Sequence, residues 1–205
     1  MNKCLVCDCC IQDTFYSVFC NKKILCDNCY QKFLIRNEKF NIGKFKGKIL
    51  YYYNDFFRDI LYRYKGLGDC VLKDVFIFRK SEFLKKKYKG YSIVLAPSNE
   101  EVENKRGFCH LEEIFKALNM NIIKCFKKNK KWKQSDKNLA ERINIQNIIK
   151  IDKSMVKGVK KVLIVDDVLT SGSTIKSMIS QMPSGIDIKV LILASNCQIL
   201  ANEIV

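Results

Sequence analysis

Short apolar runs separated by polar or amphipathic segments set the pattern of this chain. The runs lie at residues 49–53, 91–95, 162–165 and 188–194. Runs of this length are too short for buried helices and are typical of buried strands. Because helical segments alternate with them from residue 49 onward, we predict an α/β fold with a parallel or mostly parallel sheet of about five strands and helices on both faces.

Apolar spacing and capping residues predict where the helices lie. In the clearest case Phe57, Ile60 and Tyr64 share one apolar face. Asn54 or Asp55 can cap the first turn of that helix. The predicted helices span approximately residues 30–39, 55–64, 70–80, 104–117 and 175–181.

The apolar run at residues 162–165 leads into the chemistry of the chain. It ends in Asp166 and Asp167, and a run of small residues, 170–174, then precedes a predicted helix. Backbone N–H groups at such a turn, together with the helix dipole, can bind an anion, and glycine lets a phosphate approach the backbone. Carboxylates at the carboxyl end of a strand suit ribose hydroxyls or a magnesium ion. Two adjacent acids would be costly in a plain buried strand, so we predict a site for a phosphorylated sugar.

This arrangement resembles the phosphoribosyl pyrophosphate (PRPP) motif of type I phosphoribosyltransferases. The resemblance implies that the two acids contact the ribose, that the small loop binds the 5′-phosphate, and that a loop after the strand at 91–95 holds the pyrophosphate. It also implies a magnesium ion bound with PRPP. The PRPP-binding residues so implied are Ala96, Pro97, Asp166, Asp167, Val168, Leu169, Thr170, Ser171, Gly172, Ser173 and Thr174.

Two C-x₂-C pairs near the start of the chain predict a structural zinc site of four thiolates, which would hold this short segment folded. The predicted ligands are Cys4, Cys7, Cys26 and Cys29. Cys9 or Cys10 offers an alternative ligand, and Cys20 adds a further thiol in the same segment. We therefore divide the chain into a zinc-binding knuckle with a linking helix, residues 1–42, and a phosphoribosyltransferase-like domain, residues 43–205.

The composition narrows the possible partners. The formal net charge is +16 with a pI near 9.4, which favours polyanions such as nucleic acid or phosphorylated metabolites, although a Lys- and Asn-rich composition could account for part of the charge. No apolar run approaches the roughly 20 residues that span a bilayer, and the N-terminus has no long apolar segment. With 11 cysteines, these features predict a cytoplasmic protein in a reducing compartment.

A narrower resemblance covers essentially the whole chain. The segment from Arg106 to His110, RGFCH, is similar to the RGFNQ segment of the ComF family, a branch tied to DNA uptake in competent bacteria. The order of features also matches: zinc knuckle, tyrosine-rich helix ending in YKGLGD, RGF segment, ER segment and PRPP motif. The ER segment is carried by Gln134, Leu139, Glu141, Arg142 and Asn144. The resemblance implies PRPP binding with magnesium and a role in competence, with proteins of the competence machinery as candidate partners.

The resemblance leaves open whether the chain is an enzyme. If it is catalytic, the reaction is phosphoribosyl transfer with loss of pyrophosphate, and the catalytic residues are Asp166, Asp167 and Arg106. Arg106 can chelate a pair of pyrophosphate oxygens; the alternative is an ion pair with Glu103 or Glu113. The single histidine, His110, is expected to be packed or solvent-facing, and the acceptor is not visible.

A second hypothesis belongs to another class, a non-catalytic module that binds single-stranded DNA or senses PRPP. Residues 127–133 place Trp132 among lysines, which suits single-stranded nucleic acid. A lid or exposed loop is the other interpretation of this stretch. It stands where the ComF family has a threonine-rich loop, and Cys109 and His110 replace the family's Asn-Gln.

Overall fold

The computed structural model describes residues 2–11, 24–128 and 149–196 of the chain. The strands are β1 Ile35–Ile42, β2 Phe45–Tyr52, β3 Ser92–Leu95, β4 Ile122–Ile123, β5 Phe126–Lys128, β6 Ile149–Ile151, β7 Lys161–Leu169 and β8 Asp187–Ser195. The α-helices are α1 Asp27–Lys32, α2 Asp55–Lys65, α3 Ser81–Lys87, α4 Glu100–Arg106, α5 His110–Phe115 and α6 Ser173–Gln181. Short 3₁₀ segments lie at Cys70–Ile77, Lys116–Leu118 and Lys153–Val156.

The main sheet has six strands in the order β1-β2-β8-β7-β3-β4. All neighbouring strands in it are parallel except β1, which runs antiparallel to β2. Strands β5 and β6 form a separate antiparallel pair. The predicted α/β class with a mostly parallel sheet is therefore confirmed, with six strands in place of about five.

Strand β7 lies inside this sheet and carries a run of four fully buried residues. Residues 162–165 of β7 have no exposed surface. Over residues 162–165 the strand pairs with β3 on one side and with β8 on the other, so neither edge of this run is free. Burial on both faces explains why its sequence is continuously apolar where an edge strand would alternate.

The segment that links the second cysteine pair to β2 has a different secondary structure from the predicted one. The helix predicted at residues 30–39 is wrong, because α1 ends at Lys32 and β1 occupies Ile35–Ile42. The hairpin partner decides this, since Phe40 and Ile42 become buried when β1 pairs with β2. The domain boundary at residue 43 stays a prediction, although β1, which precedes it, pairs with β2, which follows it.

Two other segments predicted as helices also differ in the structure, whereas α2 forms as predicted. The helix predicted at 104–117 is split by Gly107, whose left-handed φ of 83° ends α4 before α5 begins. The segment predicted as a helix at 70–80 forms a 3₁₀ segment. Helix α2 is capped as expected, since the Asn54 side chain accepts the N–H of Phe57 at 2.8 Å. No helix within the described ranges combines the length and the apolar character needed to cross a membrane.

We predict that Gly47→Ala destabilises the β1–β2 hairpin. Gly47 faces Phe40 across the pair, and a Cβ at Gly47 would approach Phe40 Cζ to 2.2 Å, far inside van der Waals contact. Because the Phe40 ring is buried, relief requires movement of the core, and we expect the free energy of unfolding to fall by about 1–3 kcal/mol in urea titrations. Adding Phe40→Leu removes the clash. The double variant should therefore lose less free energy of unfolding than the two single variants lose in sum. Strictly additive losses would contradict the clash.

Candidate functional site

The two predicted acids lie within β7 and not beyond its end. The strand continues to Leu169 because β8 stays paired with it along that length. On the other side, β3 stops at Leu95, which pairs with Val165. Asp166 and Asp167 therefore extend past the end of β3, at the carboxyl edge of that strand, where ligands bind in parallel sheets. The acids were predicted at the carboxyl end of their own strand, β7, and this is wrong. They lie instead beyond the carboxyl end of the neighbouring strand, β3.

The carboxylate of Asp167 is buried and held by three donors. Its Oδ2 atom lies 2.5 Å from Lys65 Nζ and 3.0 Å from His110 Nε2. Its Oδ1 atom accepts the N–H of Val168 at 2.8 Å. Burial alone would raise the pKa of Asp167, but the hydrogen bond from His110 and the charge of Lys65 outweigh it and hold the pKa well below its usual range. Asp167 is thus an ionised carboxylate at neutral pH.

The pKa of the neighbouring acid, Asp166, is shifted in the opposite direction. Its side chain is half-buried and accepts the N–H of Asp167 at 2.9 Å. Burial, and then the negative charge of Asp167, raise the pKa of Asp166 well above its usual range. The pKa values of the adjacent carboxyl groups are therefore shifted in opposite directions, and Asp166 would ionise more readily beside a bound cation.

A cleft of about 570 Å³ opens beside Asp167, a size typical of small-ligand sites. Four predicted site residues line it: Arg106, Asp167, Val168 and Thr170. Lys65 also lines it and was missed by the sequence analysis, although it belongs to the YKGLGD segment that marked the family resemblance. With Arg58, the cleft thus gathers three cations and one carboxylate from α2, α4 and β7.

Arg106 lies in this cleft with part of its guanidinium unused. Its Nε and Nη1 atoms are buried and have no hydrogen-bond partner among the described residues, and its Cζ lies 5.6 Å from the Phe108 ring centre. The alternative interpretation, an ion pair with a nearby glutamate, is not seen among those residues. Glu103 accepts the Ser98 hydroxyl, and Glu113 pairs with lysines. An unsatisfied guanidinium edge in a cleft is suited to an anion.

The small-residue loop forms the predicted turn between β7 and α6. Gly172 adopts a left-handed φ of 69° immediately before the helix, a conformation that glycine adopts without strain. The Ser171 and Ser173 hydroxyl oxygens lie 2.8 Å apart. Leu169 is buried, so only its backbone could meet a phosphate. Strand, turn and helix occur in the predicted order, with α6 starting at Ser173.

Ala96 and Pro97 line a different and smaller pocket. Its volume is about 170 Å³, and Ser98 and Lys124 also line it. The N–H of Ala96 donates to the carbonyl of Val165 at 2.9 Å, which fixes the start of this loop against β7. The assignment of this loop to the pyrophosphate stays a prediction.

His110 is packed in the interior, one of the two positions expected for it. Its side chain is 3% exposed, and Tyr64 donates its hydroxyl to the His110 carbonyl at 2.8 Å. Burial lowers the pKa of His110, and the hydrogen bond to Asp167 only partly opposes this. The imidazole is therefore neutral at pH 7, with Nε2–H donating to Asp167. Its Nδ1 atom is buried without a partner among the described residues.

The predicted cysteine ligands come together at the N-terminus. The sulfurs of Cys4, Cys7, Cys26 and Cys29 all lie within 4.8 Å of one another, an arrangement that could hold a metal ion. The Cys7 and Cys26 sulfurs are 3.8 Å apart, and zinc–sulfur bonds of about 2.3 Å in a tetrahedron require separations of about 3.8 Å. The donor set therefore fits zinc.

The other cysteines of this segment lie outside that group. Cys9 Sγ is 3.4 Å from Cys7 Sγ without joining the four, and Cys10 is exposed. Cys20 lies outside the described residues.

Two long side chains join the knuckle to the rest of the fold. Arg63 of α2 donates to the Val6 carbonyl at 3.1 Å. Arg79 pairs with Asp27 of α1 at 2.7 Å. The segment with the cysteine cluster is thereby attached to the last turn of α2, the helix that also carries Lys65.

Several predictions fall on residues that the structure does not describe. These are residues 129–133 of the lysine-rich stretch with Trp132, and the ER segment with Gln134, Leu139, Glu141, Arg142 and Asn144. The prediction that the lysine-rich stretch binds single-stranded DNA therefore stays a prediction.

Comparison with curated proteins identifies relatives of the chain. It is 35% identical over 128 residues to the competence protein ComFC of Streptococcus pneumoniae, a match that covers 62% of this chain and 57% of that protein. This chain is related to the competence protein ComFC. The Bacillus subtilis ComFC is 26% identical over 132 residues, covering 63% of this chain and 55% of the relative. The resemblance to the ComF family is thus confirmed, and the chain spans about half the length of these ComFC relatives.

No family model matches the sequence. Among solved structures, a hypoxanthine phosphoribosyltransferase of Staphylococcus aureus gives a TM-score of 0.36 at 16% identity, covering 68% of this chain and 64% of that one. An adenine phosphoribosyltransferase of Saccharomyces cerevisiae gives 0.39 at 14%, covering 82% and 88%. At these TM-scores the likeness adds no argument to the fold described above.

We predict that His110 makes stability fall as the pH drops below neutrality. Its folded pKa lies below its usual value near 6.5, so the unfolded chain takes up a proton that the folded chain excludes. His110→Gln keeps an N–H donor and does not titrate. Between pH 7 and 5 the wild type should therefore lose free energy of unfolding more steeply, by at most about 1.4 kcal/mol per pH unit. The pKa of Asp167 is depressed, so its own effect on stability is confined to a lower pH range, below about pH 4. Parallel stability curves for the two proteins between pH 7 and 5 would contradict the prediction.

Proposed function

We propose that this protein binds PRPP with magnesium in the cleft beside Asp167 and acts in competence for DNA uptake. The observation that carries the proposal is the Arg106 guanidinium, which has two buried nitrogens without partners and lines the same cleft as Asp167 and Thr170. A buried cation without a partner is costly unless a ligand supplies the anion. A pyrophosphate can accept two parallel hydrogen bonds from a guanidinium.

The remaining groups of the cleft suit the rest of the ligand. The turn from Thr170 to Gly172 leads into α6, so its backbone N–H groups suit the 5′-phosphate. The acids of β7 suit the ribose hydroxyls. Because Lys65 already holds Asp167, a ribose hydroxyl would share or displace that ammonium group.

The two acids are also the groups that fit magnesium. Carboxylate oxygens are preferred donors of that ion, and a divalent charge would favour the ionised form of Asp166, whose pKa is otherwise raised. When bound, the ion neutralises charge on the pyrophosphate leaving group. Arg106 would orient the same group.

The geometry supports binding more strongly than turnover. A phosphoribosyl transfer needs an acceptor and, for many acceptors, a base that removes a proton. His110 is buried and its Nε2 is hydrogen-bonded to Asp167, so it is poorly placed to exchange a proton with an acceptor. We therefore propose ligand binding as the function of the cleft, with transfer tested separately. The role in competence rests on the relatives, which are named for it.

We predict that Arg106→Gln weakens PRPP binding at least about tenfold in isothermal titration calorimetry with magnesium, because it removes a charged hydrogen-bonding pair. Lys105→Gln is the matched control: it makes the same charge change one residue earlier on α4, at an exposed position that does not line the cleft. Lys105→Gln should bind as the wild type does. Equal affinity of the Arg106→Gln variant and the wild type would refute the assignment of the cleft.

Turnover is tested by measuring pyrophosphate release from PRPP and magnesium with and without candidate acceptors. Binding without release would identify a PRPP-binding protein that does not catalyse transfer. Acceptor-dependent release that Arg106→Gln slows would identify an enzyme.

We further propose that the cysteine cluster holds zinc. The purified protein should contain about one zinc per chain, and Cys26→Ser should lose it, because Cys26 supplies a ligand and also accepts the N–H of Cys29 at the start of α1. Removal of the metal by a chelator should lower the unfolding temperature. Cys10→Ser, an exposed thiol in the same segment but outside the cluster, should keep its zinc. Zinc loss from Cys10→Ser with retention in Cys26→Ser would reverse the ligand assignment.

A further inference from the structure

A second pocket, separate from the cleft, lies over the first halves of β2 and β8. Its volume is about 420 Å³, again within the range of small-ligand sites. Its charged lining consists entirely of lysines: Lys39, Lys46, Lys48, Lys87 and Lys189. We call it the lysine pocket. No acidic residue is among the described residues that line it.

Strand register explains why these lysines meet. Lys39 on β1 pairs with Lys48 on β2, and Lys46 on β2 pairs with Lys189 on β8. Paired residues on neighbouring strands point to the same face, as do residues two apart on one strand. Four lysines from three strands therefore share one face, and Lys87 at the end of α3 completes the group.

Lys48 is the most deeply buried of these lysines. It is only 7% exposed, its ammonium group lies within hydrogen-bonding reach of the Lys87 ammonium, and no acidic side chain pairs with it among the described residues. Its ammonium lies 5.1 Å from the Phe83 ring centre, a contact that replaces only part of its lost hydration. A lysine with so little exposed surface and no acidic partner is unusual unless a ligand supplies an anion.

The lysines of the pocket repel one another, which lowers the pKa values of two of them. Partial loss of solvent, and then the charges of Lys48, Lys39 and Lys189, lower the pKa of Lys87 to about 8. Burial and the charge of Lys39 likewise lower the pKa of Lys48. The pocket therefore holds positive charge that the protein itself does not neutralise.

The acids nearest in sequence are engaged elsewhere. Asp187, two residues before Lys189, accepts the Tyr91 hydroxyl. Glu38, the neighbour of Lys39, pairs with Arg36.

We propose that the lysine pocket binds a compact polyphosphate, a ligand with two or more linked phosphate groups, at a site independent of the PRPP cleft. A short phosphate chain presents several negative charges within the span of one pocket and can accept hydrogen bonds from several ammonium groups at once. The enclosed volume and the buried Lys48 favour a compact ligand over an extended nucleic-acid strand, which needs a long open groove.

The two sites lie at different levels of the sheet. Lys189 pairs with Leu163 of β7, four residues before Asp167. At a rise of about 3.3 Å per residue, the lysine pocket and the acids are separated by about 13 Å along the strands. One compact ligand would therefore not fill both.

The test is a calorimetric titration with inorganic triphosphate, pyrophosphate and orthophosphate at about 0.15 M salt, where weak surface attraction is screened. We expect triphosphate to bind most tightly, and Lys87→Gln and Lys189→Gln each to weaken it about tenfold. Two variants serve as controls. Lys86→Gln makes the same charge change one residue earlier on α3 without lining the pocket, and Arg106→Gln alters only the cleft. Lys86→Gln should bind triphosphate as the wild type does, and Arg106→Gln should keep the binding that Lys87→Gln and Lys189→Gln weaken.

Three results would overturn the proposal. Equal weakening by Lys86→Gln and Lys87→Gln would mean general attraction to a basic protein. Loss of triphosphate binding in Arg106→Gln alone would assign the ligand to the cleft. Binding of an oligothymidylate strand, but not of triphosphate, that depends on Lys87 and Lys189 would assign the pocket to nucleic acid. Because the controls separate the two sites, failure here leaves the PRPP proposal untouched.

Discussion

The pairing of β7 between β3 and β8 is the constraint on which the rest of the structure depends. Four consecutive apolar residues of β7 have no exposed surface, and only an inner strand of a covered sheet can bury such a run. Since β3 ends four residues before β7 does, β7 continues past it on that side. The acids occupy this extension, and α2, α4 and α5 bring Lys65, Arg106 and His110 to its side. The cleft therefore follows from unequal strand lengths.

Local sequence patterns predicted those parts of the site whose residues are neighbours in the chain. The β7 acids, the turn before α6 and the two cysteine pairs each depend on short spacings, and each was found. The partners of Asp167 could not be predicted in this way. Lys65 is 102 residues away and His110 is 57, and no spacing rule links them. The lysine pocket depends on the register of three strands, so it also could not be predicted from short spacings in the sequence.

The errors in secondary structure have the same origin. The chain from Leu34 to Ile42 has no feature of its own that demands a strand, and it becomes one because β2 offers a hairpin partner. The RGF segment was predicted inside a single helix, whereas Gly107 adopts a left-handed conformation that ends α4 and lets α5 start in a new direction. That break allows Arg106 to line the cleft while His110 enters the interior.

The final turn of α2 contacts two regions that lie far apart in the sequence. Arg63 reaches the backbone of the cysteine knuckle at Val6, and Lys65, two residues later, grips the Asp167 carboxylate. Both side chains extend from the same helical turn, so a displacement of that turn would move both contacts. A rearrangement of the cysteine knuckle that shifts this turn would therefore also change the surroundings of the Asp167 carboxylate, because less than 4 Å of helix axis separates the two contacts.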